Sequence, residues 1–115
     1  GLDVLGIARD AEALSAYLAD PLMQIGRITP ALAAATLAGI ERVMRHADDV
    51  TLPLLLLHGL ADRVVPADAT IALHALAGSR DTTLRTYPGA YHHLLLDDVR
   101  EEATRDILAW LAARS

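Results

Sequence analysis

Four consecutive leucines, Leu54 to Leu57, followed by His58-Gly59-Leu60-Ala61-Asp62, constrain this chain more than any other stretch. A half-exposed strand alternates apolar and polar residues, because successive side chains point to opposite faces. An unbroken apolar run needs cover on both faces, the environment of a central strand in a parallel sheet. A parallel neighbour requires a crossover of a dozen or more residues, usually a helix. Pro66 and Asp68 open such a helix, which is expected to run to about Ala77 with Gly78 as its C-terminal cap. Thr82 to Tyr87 then reads as a second strand, more polar and so nearer an edge. A last helix is expected from Asp98. There Asp98 and Glu101 have capping-box spacing, and Val99, Ala103, Ile107, Trp110 and Leu111 form an apolar stripe.

The chain divides near residue 50. Residues 51–115 read as strand–helix–strand–helix, and residues 1–50 as helical with no strand. Ala11 to Ala19 is a short helix stopped at Asp20-Pro21, because the residue before a proline avoids helical angles. Thr29-Pro30 is a start signal, a capping hydroxyl followed by proline at the first helical position. The helix it opens is expected to reach about His46, with Ala33, Leu37, Ile40 and Met44 on its apolar face. Two strands are too few for a stable parallel sheet. This piece is therefore expected to complete a larger sheet or to pair with a second copy of itself.

Composition removes several classes of function. A formal charge of −5 and a pI near 5.4 argue against nucleic acid as a partner. The absence of cysteine removes disulfides and thiolate chemistry, and is compatible with a reducing compartment. No apolar run reaches the roughly 18 residues of a membrane span, and no signal peptide is visible. The chain starts Gly1-Leu2-Asp3-Val4, which reads as the tail of a longer protein.

Asp62 ends one strand run, and His92 follows the next through the turn Pro88-Gly89-Ala90-Tyr91, thirty positions later. An acid after one parallel strand and a histidine after the next is how a doubly wound α/β-hydrolase builds the base half of a Ser–His–Asp triad. No G-x-S-x-G occurs, so the nucleophile is expected outside these 115 residues. A serine hydroxyl needs a base to take its proton. His92 is the candidate base, and Asp62 the candidate for holding its tautomer and stabilising the imidazolium.

Three segments carry a resemblance to a family. They are Tyr17-Leu-Ala-Asp20-Pro21-Leu22, Leu54-Leu-Leu-Leu-His58-Gly59 running on through Asp62-Arg63 to Pro66, and Tyr87-Pro88-Gly89-Ala90-Tyr91-His92. Together they resemble the C-terminal portion of an α/β-hydrolase of the monoacylglycerol lipase or lysophospholipase group. The resemblance implies a fold class: the C-terminal part of a doubly wound α/β-hydrolase sheet, preceded by a helical cap. Residues 1–50 would be cap and linker, and residues 51–115 core. It implies hydrolysis of an acyl ester of monoacylglycerol or lysophospholipid type, and nothing in the residues requires a metal or an organic cofactor. The expected partners are the remaining N-terminal part of the same hydrolase or, from the two-stranded sheet alone, a second copy of this chain; the resemblance adds an acyl-ester or lipid substrate. Leu22, Met23, Ile25 and Ile28 would be cap residues that meet the acyl chain or a membrane surface. The expected location is the cytoplasm or a membrane periphery. Other chemistries use the same acid and histidine on this scaffold, among them acyltransferases, haloperoxidases and C–C hydrolases, and fold alone does not choose. A non-catalytic, self-associating unit is the reading from outside enzymology.

Each residue also has a plainer explanation. Asp62 alone is a common turn residue. His93 falls one residue later than the Gly-x-x-His of the family turn, and reads as a supporting or solvent-facing side chain. His58-Gly59 imitates an oxyanion-strand motif, but only Ser79 and Ser115 follow and neither lies between glycines. His92, His93, Asp97 and Asp98 imitate a metal cluster, yet adjacent histidines diverge in an extended turn. Arg63 and Asp68 read as solvent-facing charges, and Trp110 as core.

Overall fold

Capping chemistry decides where the first helices begin. The computed structural model describes residues 3–23 and 26–115. A short 3-10 turn, Val4–Gly6, leads to helix α1, Ala11–Ala19. The Asp10 carboxylate accepts the N–H groups of Glu12 and Ala13, both at 3.0 Å, satisfying two of the unpaired donors of the first turn. α1 stops at Asp20, whose backbone is extended ahead of Pro21. Helix α2, Pro30–Arg45, starts as its capping signal predicts: Thr29 Oγ1 accepts the Leu32 N–H at 3.1 Å. A second 3-10 turn, Ala47–Asp49, then leads to the sheet.

Strand β1 is Leu54–Gly59 and strand β2 is Thr82–Tyr87, joined through helix α3, Ala67–Leu76. The strands pair in parallel from Leu54 opposite Thr82 to Gly59 opposite Tyr87. The chain closes with helix α4, Arg100–Ala112. Two terminal expectations need correction. Gly78 is not a left-handed cap, since Gly89 alone among the described residues has a positive φ that favours glycine. Gly78 instead passes against the Asp48 carbonyl, where a Cβ would overlap it, and donates its N–H to Ala47 O at 3.1 Å. The last helix starts two residues later than expected, at Arg100, and Asp98 with Glu101 forms no capping box. The carboxylate next to the helix start, Asp97, is held elsewhere by Arg9 and Tyr91, and the Asp97 carbonyl accepts the Arg100 N–H instead.

Two apolar clusters make the core. Ile7, Ala8 and Leu14 pack with Val4, Tyr17, Leu18 and Leu96, which joins the N-terminal segment to the loop after β2. Tyr87, Ala90 and Ala103 pack with Leu57, Leu94 and Val99, which seats α4 on the sheet. Much of the remaining apolar surface is only partly covered among the described residues. Leu54 to Leu57 are half-buried rather than enclosed. No residue of α2 is buried, and Leu37 and Ile40, on its apolar face, are more than half exposed. Leu111, expected in the buried stripe of α4, is exposed, while Ile107 and Trp110 are half-buried. The radius of gyration, 15.6 Å, exceeds the about 13 Å of a compact domain of this length. Apolar faces without cover and a two-stranded sheet are the physical content of that excess.

Candidate active site

The site lies where both strands end. Beyond Gly59 the chain is sewn to the turn after β2: Leu60 N–H donates to Tyr87 O and Ala61 N–H to Ala90 O, each at 3.0 Å. Gly59 is required by that approach, because a Cβ there would overlap the carbonyl oxygens of Ala90 and Tyr91. Gly89, with φ +75°, supplies the left-handed residue that turns the chain back toward β1.

This double turn brings Asp62 and His92 together. His92 Nδ1 lies 2.9 Å from Asp62 Oδ2. The Asp62 side chain is 2% exposed and that of His92 39% exposed, so the acid is enclosed while the histidine reaches solvent. Asp62 Oδ1 accepts the N–H groups of Val64 at 2.8 Å and Val65 at 2.9 Å. Burial works to raise the pKa of this carboxyl. The donors from Val65, His92 and Val64 outweigh burial and hold the pKa below the ordinary range, so Asp62 is a carboxylate at neutral pH. A carboxylate accepts only, so the His92 proton sits on Nδ1 and its Nε2 is left as the basic atom. Nε2 makes no hydrogen bond among the described residues.

The turn carrying His92 is anchored from the far end of the chain. His92 N–H donates to Gly6 O at 3.3 Å and His93 N–H to Ile7 O at 2.7 Å. The fully buried Asp97 carboxylate accepts the Tyr91 N–H at 3.2 Å, the Arg9 N–H at 3.0 Å and Arg9 Nε at 2.8 Å. Burial raises the pKa of Asp97, and the Arg9 and Tyr91 donors lower it further than burial raises it.

The other sequence candidates fall in various places. The His93 ring packs edge-on against Tyr17, with centroids 5.8 Å apart, and does not reach Asp62. Arg63 is not merely a solvated charge: it pairs with Asp3 at 3.0 Å and lies over the Tyr91 ring at 5.3 Å. Asp68 is exposed on α3. Leu22 and Ile28 are largely exposed near the end of α1 and ahead of α2, and Met23 is half-buried. Ile25 lies outside the described residues. Ser15 is exposed on α1, Ser79 Oγ is bonded to Asp81 O, and Ser115 Oγ to Ala112 O. Among the described residues no group of three or more His, Cys, Asp or Glu comes together as a metal site would require.

Sequence reasoning missed His58. Its Nε2 lies 3.0 Å from Asp62 Oδ2 and 2.9 Å from Val65 O, and its Nδ1 lies 2.7 Å from Thr70 Oγ1. The available signal was polarity in an apolar strand. A histidine directly after four leucines is buried and needs partners for both ring nitrogens.

Comparison with known proteins gives a consistent result. The model of the family described as serine aminopeptidase, S33, matches residues 1–99. Monoacylglycerol lipase of Mycolicibacterium smegmatis is 30% identical over 112 residues, 97% of this chain and 40% of that protein. Human monoglyceride lipase is 32% identical over 116 residues, 99% of this chain and 38% of that protein. The crystal structure of Paleococcus ferrophilus monoacylglycerol lipase superposes with a TM-score of 0.92 at 33% identity, covering 100% of this chain and 45% of that one. The chain spans about two fifths of the length of the curated relatives it matches.

Proposed function

The chain belongs to the serine aminopeptidase S33 family of α/β-hydrolases, and on that premise we propose that it supplies the acid and base of a Ser–His–Asp triad in a carboxylic-ester hydrolase. The observation that carries this reading is the 2.9 Å bond from His92 Nδ1 to the enclosed Asp62 carboxylate. It leaves a basic Nε2 facing outward at the carboxyl ends of two parallel strands, where such sheets hold their sites. The nucleophilic serine and the oxyanion hole belong to other strands of the hydrolase sheet, outside these residues. In the reaction His92 Nε2 takes the serine proton as the hydroxyl attacks the ester carbonyl. It then returns that proton to the leaving alcohol, and water releases the acyl group by the same route. Asp62 keeps its charge and stabilises the imidazolium throughout.

The proposed substrate is a monoacylglycerol-type ester, supported by the kinship with lipases whose names carry that activity. In this reading residues 1–50 are the cap and linker, and Leu22 and Ile28 at 88% and 66% exposure are apolar enough to meet an acyl chain or a lipid surface. No helix among the described residues is long and apolar enough to cross a membrane.

The test uses the complete hydrolase with three substrates: a monoacylglycerol, a p-nitrophenyl ester and a dienoate that reports C–C cleavage. Ester turnover that falls by about 10⁴-fold in Asp62→Asn and in His92→Ala supports the proposal. Turnover of the dienoate alone, or ester turnover indifferent to His92, refutes it. Liposome co-sedimentation of a variant with Leu22, Met23 and Ile25 changed to serine tests the lipid-surface role. Unchanged binding removes those residues from it.

A further inference from the structure

His58 is buried at 9% exposure, lies beside the site, and has no part in the proton transfer described above. We propose that His58 is a positioning residue for the triad acid: a neutral imidazole, protonated at Nε2, that holds the turn carrying Asp62 in the orientation His92 requires. The inference rests on Asp62 and His92 being the acid and base of the reaction.

The proton position follows from the neighbours. Nε2 is hydrogen-bonded to Val65 O at 2.9 Å, and Asp62 Oδ2 lies 3.0 Å from the same nitrogen, beside that bond rather than in line with it. A carbonyl and a carboxylate both only accept, so Nε2 carries a hydrogen. Nδ1 faces the Thr70 hydroxyl at 2.7 Å, a group able to donate to a bare ring nitrogen. With Thr70 donating, both nitrogens are satisfied and the ring needs no charge.

Neutrality is what makes the arrangement useful. A buried imidazolium at 3.0 Å would neutralise Asp62 and compete with the charge that forms on His92 during turnover. A neutral N–H places only the positive end of a dipole there. It leaves the carboxylate's charge for His92. The same N–H also fixes the turn. The Val65 carbonyl bonds to His58, and the Val65 N–H bonds to Asp62 Oδ1 at 2.9 Å. One peptide segment is thus gripped by the end of β1 on one side and by the triad acid on the other. Thr70, on α3, ties that grip to the crossover helix.

A side chain that only fills space would behave differently. The test compares His58→Leu, His58→Gln and Thr70→Val in the complete hydrolase with His92→Ala and Asp62→Asn, using p-nitrophenyl butyrate and thermal melting. Nitrogen spectra of the histidine rings of the wild-type enzyme are recorded at pH 7. The proposal expects His58→Leu to lower kcat by about 100-fold with KM unchanged, the scale of a misplaced catalytic group. His58→Gln, whose amide N–H reaches the same acceptors, restores most of that loss. The spectra show His58 with hydrogen on Nε2 and none on Nδ1. Wild-type kcat in His58→Leu beside a dead His92→Ala overturns the inference and leaves the acid–base reading intact. Equal losses in the leucine and glutamine variants that follow their melting temperatures also overturn it, as does a doubly protonated His58. Full activity in His92→Ala removes the premise and the inference with it.

Discussion

Arg9 and Asp97 stand 88 positions apart and meet at 2.6 Å, with the aspartate side chain fully buried. Asp97 also accepts the N–H of Tyr91, next to His92. The segment ahead of α1 is therefore clamped to the histidine turn, and Gly6 and Ile7 complete the clamp through their carbonyls. Asp97→Ala would leave the Arg9 charge and the Tyr91 N–H without their partner. Arg9 keeps 29% exposure, so water relieves part of that loss. The expected destabilisation is about 3 kcal/mol, the lower end for breaking a buried pair. Urea unfolding checks it: the midpoint falls while the slope stays constant.

Acid should weaken the same loop. The pKa values of Asp62 and Asp97 are both lowered in the folded chain, despite burial, by the donors around them. A depressed folded pKa contributes stability that is fully present above the unfolded value, about 3.9. That contribution is lost as pH falls through the folded values. Melting temperature should hold near neutrality and drop below about pH 4, with Asp97→Asn showing a shallower acid limb. A melting temperature flat down to pH 2.5 would contradict the two carboxylates' part in stability.

The glycines separate into two kinds. Gly59→Ala forces a Cβ onto the Ala90 and Tyr91 carbonyls, so the backbone turn that carries His92 must shift to relieve the overlap. Gly39, in the middle of α2, has open space around its Cβ position. Gly39→Ala should stabilise by up to about 1 kcal/mol through helix propensity. Gly59→Ala should destabilise and abolish activity in the complete hydrolase. Thermal melts and ester turnover on the two variants, side by side, check both.

Much of the architecture was legible because local chemistry decides it. Thr29-Pro30, Asp10 and the Asp20-Pro21 stop mark real helix ends, and the four leucines mark β1. The spacing of Asp62 and His92 was legible because each directly follows a strand end and its turn, the places where parallel sheets gather such side chains. What failed depended on distant residues. Asp98 does not cap α4, because that turn is organised by Asp97 and its contact with Arg9, 88 positions earlier. Gly78 needs no left-handed angle, because Asp48 comes too close for a side chain. The roles of His58 and Thr70 stayed hidden because a single strand pattern does not show which helix face will meet it.

The most direct measurement is covalent labelling of the complete hydrolase with an alkyl fluorophosphonate, read by intact mass and peptide mapping, beside His92→Ala and His93→Ala. The expected adduct is on a serine outside these 115 residues, lost in His92→Ala and retained in His93→Ala. Labelling undiminished without His92, or an adduct on Ser15, Ser79 or Ser115, would contradict the assignment of Asp62 and His92 as the acid and base of the triad.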